Sequence, residues 1–178
     1  IQIFGSSPQQ YRVKEPSSED VVRFKEARKK SKISAVFLHG PYLINLASPD
    51  DGIYQKSCAA LEGHLRIAEA LETDGLIFHV GSGRGLTREI ALQKAIDAMR
   101  AVLEKVKGKV PLVVENAAGG EYKIGACVDD IKMIHMALAP TKRVKICFDT
   151  AHAFEAGWLR YTKEDTKEFF DMWEKEIG

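Results

Sequence analysis

Apolar residues fall into two rhythms along this chain. Short continuous runs occupy 1–4, 33–38, 76–78, 111–114 and 144–148, and each reads as a buried strand. Between them, apolar positions recur every three or four residues. Tyr54, Cys58, Leu61, Leu65, Ala68 and Leu71 mark one long helix, and Leu92, Ile96, Met99, Leu103 and Val106 another. Helix starts and stops fit this division. Ser17 or Ser18 caps a helix to about residue 30, with Val21, Val22, Phe24 and Ala27 on its apolar face. Asp74-Gly75 ends the second helix, Thr87 caps the third and Gly108 stops it, and Pro140 closes a short helix over 128–138. Thr162 and Asp165 have capping-box spacing. They open a last helix whose inner face carries Thr166, Phe169, Phe170, Trp173 and Ile177. The stretch 149–157 reads as a loop that turns at Gly157.

Strand and helix thus alternate without hairpin signals, the pattern of right-handed βαβ units and a parallel sheet. Two such architectures compete, an open doubly wound sheet and a closed barrel. The runs end in His39, His79, Glu115 and Asp149, separated by 40, 36 and 34 residues. Polar groups at the carboxyl ends of several successive strands are the mark of a barrel. The predicted fold is therefore α/β, a (β/α)8 TIM barrel. A full barrel needs eight strands and about 250 residues. Five βα units in 178 residues make it an incomplete one, organised as a single domain over 1–178.

Composition narrows the partners. A hydrophobic content of 45%, a charged content of 29% and a net charge of +1 describe a globular chain without a strongly basic surface. Nucleic-acid binding must therefore rest on a site rather than on bulk charge. No apolar stretch approaches the ~20 residues of a membrane span. The opening IQIFGSSPQQ has no signal-peptide pattern and no initiator Met, so the chain reads as an intracellular protein seen in part. Cys58, Cys127 and Cys147 are too few and too irregular for a disulfide framework.

The strand ends carry the chemistry. Side chains alternate across a strand, so Phe37 with His39, Ile77 with His79, Val113 with Glu115, and Cys147 with Asp149 share a face. Four polar groups then converge on the barrel mouth, joined by His152 from the following loop. Imidazoles with carboxylates suit Zn²⁺, or Mn²⁺ or Fe²⁺. Each residue also has a plainer use. A strand-end His is commonly a hydrogen-bonded group, Glu115 can be a paired buried carboxylate, and Asp149 can cap the next turn. Their common register favours the metal site. Gly81-Ser82-Gly83-Arg84-Gly85 follows a strand, but its third glycine falls one position early for a dinucleotide loop. His64 and His135 read as surface or packing residues, and Cys147 as a core thiol with no activating base.

The segments HGPYLINLASP, FHVGS, VVENAAG and CFDTAHAFEAG closely resemble endonuclease IV, the metal-dependent apurinic/apyrimidinic endonuclease family with a TIM-barrel fold. The resemblance implies a DNA-repair hydrolase that cuts the phosphodiester 5′ to an abasic site with a zinc-activated hydroxide. It implies up to three zinc ions. His39 and His79 would bind the first, Glu115 would bridge it to a second that Asp149 also holds, and His152 would bind the third. Glu115 and Asp149 are thereby the catalytic candidates. Tyr42 matches a position beside the lesion, and Gln9, Gln10, Tyr11 and Arg12 match a loop that contacts the minor groove. Abasic double-stranded DNA is the implied partner, with no membrane, no obligate protein partner, and a cytoplasmic (nucleoid) location if prokaryotic. The family's first strand would precede Ile1 and its last two, with further ligands, would follow Gly178. The segment alone is therefore expected to be inactive. Gln9 stands where the family commonly has Arg. Two alternatives remain open, a sugar isomerase or epimerase barrel with one divalent metal, and a non-catalytic fragment.

Overall fold

A computed structural model describes residues 1–177. Strands β1 (Gln2–Phe4), β2 (Phe37–His39), β3 (Gly75–His79), β4 (Leu112–Glu115) and β5 (Val144–Cys147) form one sheet. Helices α1 (Ser18–Lys30), α2 (Asp51–Leu71), α3 (Arg88–Lys105) and α4 (Val128–Leu138) alternate with them, and α5 (Thr150–Glu155) and α6 (Lys163–Glu176) both follow β5. The strand order is β1-β2-β3-β4-β5, with every neighbouring pair parallel. An order that never reverses has no switch point, which excludes the doubly wound alternative. What remains is the singly wound arc of a TIM barrel, five βα units long, as the strand-end pattern predicts.

The two faces of the sheet differ sharply. Leu38, Leu76, Phe78, Leu112 and Val114 point to the helices and pack with Leu61, Leu65, Ala95, Met99, Val102, Ile131 and Ile134 in the main core. Full burial of each such side chain contributes about 1.5–3 kcal/mol. The alternate residues line the other face, which runs from Phe37, Ile77 and Val113 up to His39, His79 and Glu115 at the strand ends. Gly75 lies low on this face, where an added Cβ would sit 2.5 Å from Val113 Cγ2. No helix among the described residues is long and apolar enough to cross a membrane.

Several boundaries differ from the sequence expectation, each for a local reason. The second strand begins at Phe37 rather than at 33, because the Val36 N–H goes to the Asp74 carboxylate at 2.7 Å instead of to a neighbouring strand. Helix α2 ends at Glu72 in the left-handed region (φ 54°), ahead of Asp74-Gly75. Arg28 holds that corner, donating to the Glu72 carbonyl at 2.5 Å and to Asp74 at 2.6 Å. Helix α3 closes at Lys105, with Val106 as its cap, short of Gly108. Strand β5 stops at Cys147, and Phe148 turns into an aromatic cluster with Trp158, Phe169 and Trp173. The expected loop after Asp149 contains α5, too short for a periodic signal. On α6 Phe169 is buried as expected, whereas Phe170 is exposed.

His64 is a packing residue, only 1% exposed. Its ring sits 2.7 Å from the Ala60 carbonyl through Nδ1 and 2.8 Å from Ser6 Oγ through Nε2. A carbonyl only accepts, so Nδ1 carries the proton and Nε2 accepts from the hydroxyl. Burial pushes its pKa below the usual value, with the Ala60 bond opposing. The unfolded chain, titrating near 6.5, therefore takes up a proton that the folded chain refuses. The stability this ring contributes is present above about pH 6.5 and is lost as pH falls through the lower folded value. Its slope is at most about 1.4 kcal/mol per pH unit. Urea melts at several pH values on the native chain and on His64→Gln should show the variant's profile flatter between pH 6.5 and 5. Equal slopes would contradict this assignment.

Candidate metal centre

Strand register builds the site. His39 pairs with Ile77, and His79 with Glu115, which in turn pairs with Cys147. Alternation puts His39, His79 and Glu115 on one face within one rung of each other. Asp149 lies just past the end of β5, where it caps α5 by accepting the His152 N–H at 2.8 Å. The capping use and the ligand use of Asp149 are thus compatible, because one carboxylate oxygen remains free.

Two groups of donor atoms result, and Glu115 belongs to both. His39, His79 and Glu115 offer atoms all within 4.8 Å of one another, as do Glu115, Asp149 and His152. Glu115 Oε2 stands 3.0 Å from His39 Nε2 and 3.6 Å from His79 Nε2, while Oε1 stands 3.5 Å from His152 Nδ1. Donors about 2.0–2.2 Å from one tetrahedral ion lie roughly 3.3–3.6 Å apart, a spacing that Glu115 and His79 match at 3.6 Å and Glu115 and His39 approach at 3.0 Å.

The placement of protons supports the same fit. His39 Nδ1 lies 2.7 Å from the Gly40 carbonyl and so bears the proton. In a neutral ring Nε2 then turns a lone pair toward the Glu115 carboxylate, two acceptors facing each other in a buried place. A cation between them resolves that conflict, and a backbone carbonyl on the far nitrogen is the usual orienting partner of a ligating imidazole. His152 is oriented alike, with Nδ1 donating to the Asn116 carbonyl at 2.9 Å and Nε2 left free.

The charge states suit ligation. Burial holds His79 below its usual pKa, although Glu115 works in the other direction. Burial raises the Asp149 value, but hydrogen bonds from the His152 and Ala151 N–H groups and the His152 charge outweigh it, leaving the carboxyl lowered. Cys147 is pushed up to about 11 by burial first, then by Glu115 and Asp149, so it stays a thiol and not a nucleophile.

A cleft of about 540 Å³ opens beside this cluster and shares His79 and His152 with it; Tyr11, Tyr42, Gly81 and Lys123 are among its other lining residues. Tyr42 is 58% exposed and stands at its rim in edge contact with Phe4 and near His39. Tyr11 donates to the Leu43 carbonyl at 2.8 Å. Gln9, Gln10 and Arg12 flank Tyr11 on the same loop, are exposed and do not line the cleft. The glycine loop after β3 forms part of the cleft wall. Gly81 and Gly83 exchange backbone bonds with Ile124 and Tyr122. At Gly81 (φ 111°) a Cβ would meet Asn45 Cα at 2.6 Å. Asn116 and Lys123 join the site without having been expected from the sequence. Lys123 has no ion-pair partner among the described residues, and its only signal was a cation in a loop after a strand end.

The profile of the family described as xylose isomerase-like TIM barrel matches residues 1–178. The chain belongs to this TIM-barrel family. Within it, the chain is 31% identical over 179 residues to the "Probable endonuclease 4" of Halothermothrix orenii, covering 100% of this chain and 64% of that one. The crystal structure of endonuclease IV from Thermus thermophilus superposes with a TM-score of 0.82 at 30% identity, over 99% of this chain and 61% of that one. A D-tagatose 3-epimerase-like protein superposes at 0.62 with 15% identity, covering 85% and 56%, a likeness of fold. The resemblance to endonuclease IV drawn from the motifs is borne out, and the chain spans less than two thirds of either endonuclease relative's length.

Proposed function

We propose that the whole protein is a metal-dependent endonuclease of DNA repair that hydrolyses the phosphodiester on the 5′ side of an abasic site in double-stranded DNA. The observation that carries this reading is Glu115, whose two oxygens are divided between two donor groups. A one-metal sugar isomerase does not need His152, which stands with Glu115 and Asp149 in the second group, so this group favours a polynuclear centre. In the proposed assignment His39, His79 and Glu115 hold the first ion, Glu115 and Asp149 the second, and His152, through Nε2, a third. Zinc bound there would supply Lewis-acid stabilisation of phosphoryl charge and an acidified water.

The chain's own residues do the rest. A His79 ring whose pKa burial lowers and an Asp149 carboxyl whose pKa is lowered keep these two donors ready at neutral pH. Lys123, facing the cleft, is placed to attract phosphate, and Tyr42 at the rim is placed to fill the gap beside a base-free sugar. Such a sugar flips out cheaply, having no base to unstack. Gln9, Gln10, Tyr11 and Arg12 form the adjoining edge, proposed to follow the minor groove. DNA as substrate in turn implies an intracellular location, cytoplasmic (nucleoid) if the source is prokaryotic.

Incision of a tetrahydrofuran-containing duplex tests the reading. The full-length protein is expected to cut 5′ to the tetrahydrofuran, to stop on chelation, and to lose the activity in His79→Ala. The 178-residue chain alone is expected to leave the duplex whole. An uncut duplex with the full-length protein would sink the proposal.

A further inference from the structure

Asn116 follows Glu115 and is 0% exposed. The β4–β5 ladder ends at the pair Glu115 and Cys147, yet the two chains stay joined for two residues more. Asn116 Oδ1 accepts the Asp149 N–H at 2.6 Å, and Asn116 Nδ2 donates to the Asp149 carbonyl at 3.1 Å. A carboxamide is chemically a peptide group, so this side chain acts as one extra ladder rung. Its orientation is unambiguous, because each partner atom has only one role to offer. The main-chain carbonyl of the same residue accepts the His152 Nδ1–H at 2.9 Å.

We propose that Asn116 is the positioning residue of the second donor group, its side chain fixing Asp149 and its carbonyl fixing the tautomer and direction of His152. This rests on the metal-centre reading and extends it. Glu115 is held by the strand; Asp149 and His152 lie beyond the ladder, where nothing in sheet pairing would hold them. One residue, covalently attached to the shared ligand, registers both. Asp at this position would keep the acceptor for the Asp149 N–H but present an oxygen to the Asp149 carbonyl. Ala would lose both bonds.

The test is zinc titration of the native chain, Asn116→Asp and Asn116→Ala by competition with a chromophoric chelator, alongside thermal melts. Loss of such orienting contacts typically weakens metal binding about 10–100-fold. The expected result is that drop confined to one class of sites, with the His39 and His79 site unchanged. Native chain that binds no zinc would overturn the metal-centre reading itself. Zinc held equally by the native chain and by a folded Asn116→Asp would overturn only the role of Asn116. If both variants unfold, nitrogen NMR of the native chain decides: His152 protonated at Nδ1 supports the inference, and protonation at Nε2 alone refutes it.

Discussion

Glu115→Gln is expected to lower incision by the whole protein on the order of 10³-fold or more while leaving the fold in place. The substitution keeps the shape of the side chain and removes its charge. Because Glu115 serves both donor groups, both should lose metal affinity together, whereas Asp149→Asn should weaken only one. Stability should respond differently. In the metal-free protein Glu115 is 7% exposed and its Oε2 stands 3.0 Å from His39 Nε2. Neutralising it relieves a desolvated charge, and replacing buried ionic groups is often neutral for folding. Urea melts of metal-free protein should therefore place the variant within about 1 kcal/mol of the native chain. Full activity in Glu115→Gln, or a collapse of its fold, would contradict the role given to this carboxylate.

The second large effect is on stability. Asp130, 2% exposed in the first turn of α4, accepts Arg88 Nε at 2.8 Å and Nη2 at 2.6 Å, and the Gly125 N–H at 2.7 Å. Asp130→Ala strands a guanidinium and a backbone N–H together. Breaking a buried pair costs about 3–5 kcal/mol, and the partial exposure of Arg88 puts the expected loss near the low end, about 3 kcal/mol. For a chain of this size that is a fall in melting temperature of roughly 6–12 °C. A fall under about 3 °C would show that solvent already satisfies these groups. The same bond to Gly125 holds down the loop that carries Lys123, so zinc-independent DNA affinity should weaken as well.

What the sequence disclosed follows from the range of each interaction. His39, His79, Glu115 and Asp149 were legible because strand alternation and strand-end position are local properties that recur from unit to unit. The helix caps at Ser17, Thr87 and Thr162 were legible for the same reason. Asn116 was not, because its role depends on Asp149, 33 residues away, and in sequence it is merely the first loop residue. Arg88 and Asp130 are likewise a tertiary pair on two different helices. The strand limits failed where a side chain competed with the ladder, as Asp74 does at Val36. Gln9, Gln10 and Arg12 stay outside the cleft because their loop delivers Tyr11 to it instead.

The unreversed strand order also sets the order in which the molecule can be assembled. Each strand pairs only with its neighbours in sequence, so a growing chain meets its partners in the order of synthesis, and every new rung closes a loop no longer than one βα unit. Loop-closure entropy is thereby met in small steps. The ligands keep a different schedule. His39 and Glu115 are 76 residues apart and first meet after two further units have docked, and Asp149 arrives one unit later still. A growing chain therefore assembles the His39, His79 and Glu115 group as soon as β4 has docked, and adds Asp149 and His152 with the unit that follows.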